Sequence, residues 1–221
     1  MTEDAPLTET TDTTDVTAPP PRRLTLAAVS HTWVPFALLL GAGLLAAEVA
    51  PNLDRGRTVY SLWVSLGLAG AALALYAFAH PGAAFERHWR LFWTFAYLAY
   101  LVHVSTALAY LAKLYFTTGL GPYGAALDHL GLAIAAVNTL LTVWWGVDVV
   151  LSWLTRAPAK WIRWQRLGVH VLALALFFVS ASVFRGGFVA VLGWLMLGSV
   201  VVTLIWHATM IGPLHRWRPA Y

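Results

Sequence analysis

The chain has 221 residues, 59% of them hydrophobic and only 11% charged, and contains no Cys. Soluble domains carry about 25% charged residues, so this balance, with a mean hydropathy of +0.68, indicates a protein solvated largely by lipid. The net charge of +4 then reads as a cytoplasmic Lys/Arg excess rather than a nucleic-acid footprint, and the lack of Cys excludes disulfides, thiolate metal sites, cysteine nucleophiles and CxxCH haem attachment.

The N-terminal run MTEDAPLTETTDTTDVTAPPP is rich in Thr, acidic residues and Pro. Such a segment buries too little apolar surface to offset its ordering entropy, and residues 1–24 are expected to form a disordered cytoplasmic tail. Its acidic start differs from the basic opening of a secretory signal.

Six apolar spans follow over residues 25–213, approximately Leu26–Ala50, Val59–Ala79, Leu91–Phe116, Ala125–Leu154, Leu167–Phe184 and Phe188–Ile211. Each is near the ~20 residues that cross a ~30 Å hydrocarbon core. Pro51, Pro81-Gly82, the turn at 119–124, Pro158 and Gly186-Gly187 separate them. The expected fold is an all-α polytopic bundle of six transmembrane helices, with a short C-terminal tail at 214–221. The third and fourth spans hold the most polar groups and are expected at the centre, the first at the periphery.

Lys and Arg set the expected orientation. Ten of them (Arg22, Arg23, Arg87, Arg90, Arg156, Lys160, Arg163, Arg166, Arg216 and Arg218) fall on one side, against Arg55, Arg57, Lys113 and Arg185 on the other. Both termini are therefore expected in the cytoplasm, with the chain in the cell (inner) membrane. Trp33, Trp89, Trp93, Trp153, Trp161, Trp164 and Trp217 read as an aromatic belt on the same side. Gly41, Gly43, Gly67, Gly70, Gly193 and Gly198 are candidate points of close helix approach.

Ionisable groups within spans are costly to place in lipid and mark functional candidates. Asp148 lies about 9 Å inside the end of the fourth span at helical rise, and His170 and His207 lie about 5–7 Å deep in the fifth and sixth. These three are expected to converge in the inner leaflet, flanked by His80 and His88. Two imidazoles on different helices suit a b-type haem, and imidazoles with a carboxylate suit a transition metal or a proton relay to quinone. Asp148 also has a structural alternative, an ion pair with Arg156 or Lys160. Arg163 and Arg166 suit a haem propionate, a quinone headgroup or anionic lipid.

His103 lies deep in the third span on a polar stripe with Tyr100, Thr106 and Tyr110, and Asn138, Thr139 and Thr142 are its candidate partners. A ligand or proton-relay role competes there with an interhelical hydrogen bond. Glu48, Asp54, Asp128 and His129 form a weaker candidate cluster at the opposite end.

The chain has no HExxH, GxSxG or P-loop, and no GxGxxG between strand and helix. Three functions remain in view. One is an electron-transfer membrane subunit binding b-haem or quinone near the cytoplasmic face through His170, His207 and His103, with Asp148, Asn138 and Tyr100 as a proton-active or polar network. Another is a non-catalytic scaffold or accessory subunit that meets a membrane or membrane-associated protein partner. The last is a small proton-linked transporter, disfavoured by the lack of internal repeats.

Overall fold

A computed structural model of the protein describes residues 25–78, 83–118, 129–155, 159–182 and 188–210, with His129 and His207 described by backbone alone. Both expected tails, and His80, Asp128, Arg156 and Arg185, lie outside the described residues. Six helices fill the rest: α1 Leu26–Glu48, α2 Leu53–Phe78, α3 Ala83–Thr118, α4 His129–Leu154, α5 Lys160–Ser182 and α6 Phe188–Met210. No strand occurs among the described residues. Among the described residues, five helices are long and apolar enough to cross a membrane, and α6 adds a shorter apolar run, Ala190–Trp206. The chain is an all-α, multi-pass membrane bundle.

Three helices begin well before the spans expected from apolarity, α3 among them at Ala83 rather than Leu91. Asn52 Oδ1 accepts the Arg55 backbone N–H at 2.9 Å, and Asp54 sits in the first turn, so α2 starts at Leu53 rather than Val59. Both features favour a helix start. Helix α5 starts at Lys160 rather than Leu167 because Ile162, Arg166, Val169, His170 and Ala173 fall on one buried face. Thus Lys160, Arg163 and Arg166, expected in a loop, belong to helix.

In the bundle α2 packs on α3, α3 on α4, α4 on α5, α5 on α6, and α6 returns to α2. Helix α1 lies outside this ring against α2 and α3. The centre is therefore α2 with α3, and not α3 with α4 as polar content suggested. Close approach explains it: a Cβ on Gly70 would stand 3.0 Å from Met196, so glycine lets α6 lie against α2. Gly41, Gly67 and Gly198 meet nothing within 4 Å and play no such part.

Trp93, Tyr100, Leu141, Trp145, Val169 and Phe177 fill the interior. Large apolar side chains such as Leu38, Leu108, Val143 and Leu195 point outward, as lipid-facing positions do. The expected tryptophan belt divides: Trp33, Trp161 and Trp164 are exposed, whereas Trp89 and Trp93 are buried.

Candidate functional site

The site is built on an antiparallel run of hydrogen bonds between α3 and α4. Trp93 Nε1 donates to Asp148 Oδ2 at 3.0 Å, and Trp153 Nε1 donates to Thr94 Oγ1 at 3.0 Å. Deeper in, Tyr97 Oη donates to the Thr142 carbonyl at 3.2 Å, and Tyr100 Oη donates to Asn138 Oδ1 at 3.0 Å. Residues 93, 97 and 100 share one helix face because side chains three and four apart are neighbours on a helix. Tyr100 and Asn138, both expected among the polar-network residues, thus meet across α3 and α4.

Asp148 is fully buried, and its carboxylate takes three donors from two helices. Besides Trp93, Gln165 Nε2 donates to Oδ1 at 2.7 Å and Arg166 Nε at 3.1 Å. Trp144 Nε1 donates to Gln165 Oε1 at 3.0 Å, which fixes the amide with its nitrogen toward Asp148. The Arg166 guanidinium lies 5.1 Å from the Trp89 ring centroid, within cation–π range. A buried charge requires a paired, hydrogen-bonded setting, and Asp148 has one. Its cation is Arg166. Lys160 is exposed and does not pair with it, and Arg156 lies outside the described residues.

His170, one turn after Arg166, faces the same cluster. Its Nε2 stands 3.9 Å from Asp148 Oδ2, close enough for electrostatic contact but too far for a hydrogen bond. The ring is packed edge-on by Tyr76 and Trp93, each at 4.5 Å between centroids. Neither His170 nitrogen has a hydrogen-bond partner, nor does Arg166 Nη2, although all three atoms are buried. Asp148 and His170 therefore converge as expected. Helix α6 packs on α5 and α2, and the His207 side chain lies outside the described ones.

His103 stands apart from this cluster. Its Nδ1 lies 2.8 Å from the Thr58 carbonyl of α2, so that nitrogen carries the proton and donates. This bond runs to a carbonyl near the start of α2, a partner that the sequence did not suggest. At the same end, Glu48 pairs with Arg57 at 2.8 Å and Asp54 with Lys113 at 2.6 Å. Of the acidic residues expected to cluster there, Glu48 and Asp54 are each matched to a cation, and Asp128 lies outside the described residues. No group of three or more His, Cys, Asp or Glu that could hold a metal occurs among the described residues.

Sequence reasoning missed Trp93, Gln165 and Trp144, together with the approach of His31 to His88, whose rings lie 6.1 Å apart on α1 and α3. The i, i+4 spacing of Ile162, Arg166 and His170 was the available signal for α5, since it continues a helical stripe through the apparent loop. For the indole donors no signal exists short of knowing which helices touch. No family model, curated protein or solved structure matches the chain.

Proposed function

We propose that the chain is a non-catalytic integral membrane scaffold, set in the cell membrane with its cation-rich end and both termini in the cytoplasm, that presents its helix faces to a membrane partner. The observation that carries this reading is the use made of the intramembrane polar groups. Asp148 is taken by Trp93, Gln165 and Arg166, His103 by Thr58, and Asn138 by Tyr100. Groups joined in this way hold helices together in a medium that offers no hydrophobic drive for association.

One observation favours a second reading, an electron-transfer subunit. His170 and Arg166 keep buried nitrogens without partners beside a carboxylate. A quinone carbonyl, an acceptor, suits such donors. A b-type haem suits them less, since a porphyrin edge at His170 would have to displace Tyr76 or Trp93.

The deciding experiment is a reduced-minus-oxidised visible spectrum of the detergent-purified chain, expressed with haem supplied, beside His170→Ala and His207→Ala, together with quinone analysis of the extracted sample. The scaffold reading expects a flat spectrum and no stoichiometric quinone. A b-type α-band lost in either variant, or a retained quinone lost in His170→Ala, would replace it with the second reading.

A further inference from the structure

The exposed face at the start of α5 has a distinctive order along its length. Lys160, Trp161, Arg163 and Trp164 come first, with Trp161 61% and Trp164 64% exposed, and Leu167 and Val171 continue the same face at 45% and 57%. The opposite face, through Ile162, Arg166, Val169 and His170, is buried in the bundle. Two cations interleaved with two indoles, and then aliphatic side chains, therefore succeed one another over roughly 16 Å of helix from Lys160 to Val171, at 1.5 Å per residue. A phospholipid likewise passes from a charged headgroup and glycerol region to its acyl chain.

Charge makes the match specific. The helix N-terminus is the positive end of its dipole and favours acidic side chains, yet α5 has no acidic residue in its first turn. Ala159, whose carbonyl accepts from Ile162 and Arg163 at 3.0 and 3.3 Å, has no side-chain oxygen with which to cap the free N–H groups. Of the three cations in the first two turns, Arg166 is neutralised by Asp148. Lys160 and Arg163 meet no carboxylate among the described residues. Among the described residues the positive charge on this face is thus left without a carboxylate partner.

We propose that this face of α5 is a binding site for an anionic phospholipid, its phosphate held by Lys160 and Arg163, its glycerol region between Trp161 and Trp164, and its acyl chain along Leu167 and Val171. Membrane-surface cations each contribute about a factor of five toward anionic lipid, at roughly 1 kcal/mol apiece. Neutralising two should lower retention of the lipid by more than tenfold. The site is independent of whether the bundle serves as a scaffold or in electron transfer.

The test is native mass spectrometry of the full-length protein released from mixed micelles holding equal phosphatidylglycerol and phosphatidylcholine, with and without inorganic phosphate. Preferential phosphatidylglycerol adducts are expected for wild type. Lys160→Gln with Arg163→Gln should abolish the preference, while the charge-preserving pair Lys160→Arg with Arg163→Lys should keep it. Arg55→Gln, at the other end of the bundle, should leave it intact. Equal retention of both lipids, an unchanged preference in the glutamine pair while that variant remains folded, or displacement by millimolar inorganic phosphate would each overturn the assignment.

Discussion

Arg166 Nε lies 3.1 Å from Asp148 Oδ1, with the arginine side chain 6% exposed and the carboxylate fully enclosed. The pair joins α4 to α5, and the Trp93 indole extends it to α3. Removing one partner of a buried pair strands the other charge, which costs about 3–5 kcal/mol, whereas replacing both with apolar groups is often neutral. Arg166→Leu and Asp148→Leu should each lower the unfolding temperature sharply, and the double variant should recover most of the loss. Circular-dichroism melts in detergent measure this. Strictly additive losses would show that the two side chains act separately.

How much of this was legible beforehand depends on the kind of interaction. The all-α class, the inward position of Asp148 and its nearness to His170 follow from apolarity and helical rise, which are properties of one helix at a time, whereas among the described residues five helices and not the expected six are long and apolar enough to span. The choice of Arg166 over Lys160 as ion-pair partner follows from where α5 begins, and four cations within apparent loop sequence concealed that start. The burial of Trp89 and Trp93 was illegible for another reason. An indole suits both the membrane interface and a packed interior, and the difference is set by α2 and α4 pressing on that face of α3.

Gly168 faces Trp144 so closely that a Cβ there would stand 2.9 Å from the ring atoms Cη2 and Cζ2. Because Trp144 also orients Gln165 toward Asp148, it has little freedom to withdraw. Gly168→Ala should destabilise the bundle by about 1–3 kcal/mol, the usual cost of overpacking. In a Trp144→Phe background, where the ring is smaller, most of that penalty should vanish. A double-mutant cycle on thermal stability checks the pairing, and an equal penalty in both backgrounds would contradict it.

His103 donates from Nδ1 to the Thr58 carbonyl, so the position of its donor matters more than its capacity to ionise. Asparagine places an N–H near the Nδ1 position, whereas glutamine places one near Nε2. His103→Asn should therefore stay close to wild type in stability, while His103→Ala should lose about 1 kcal/mol, the scale of an interhelical hydrogen bond. His103→Gln should resemble alanine. If glutamine rescues and asparagine does not, the histidine works through its other nitrogen.

The absence of Cys makes the proposed orientation directly measurable. Arg163 and Arg55 are both exposed, the former near the start of α5 and the latter near the start of α2. These starts lie at opposite ends of the bundle, because α2 begins beside the ends of α1 and α3, as the Glu48–Arg57 and Asp54–Lys113 pairs record. Helix α5 instead begins beside the early turns of α3, through the cluster of Trp93, Asp148 and Arg166. With ten of the fourteen Lys and Arg residues assigned to the α5 end, that end should face the cytoplasm. In spheroplasts exposed to a membrane-impermeant maleimide, Arg55→Cys should label at once and Arg163→Cys only after permeabilisation. The reverse pattern would invert the bundle and place the proposed lipid site in the outer leaflet, where anionic headgroups are fewer.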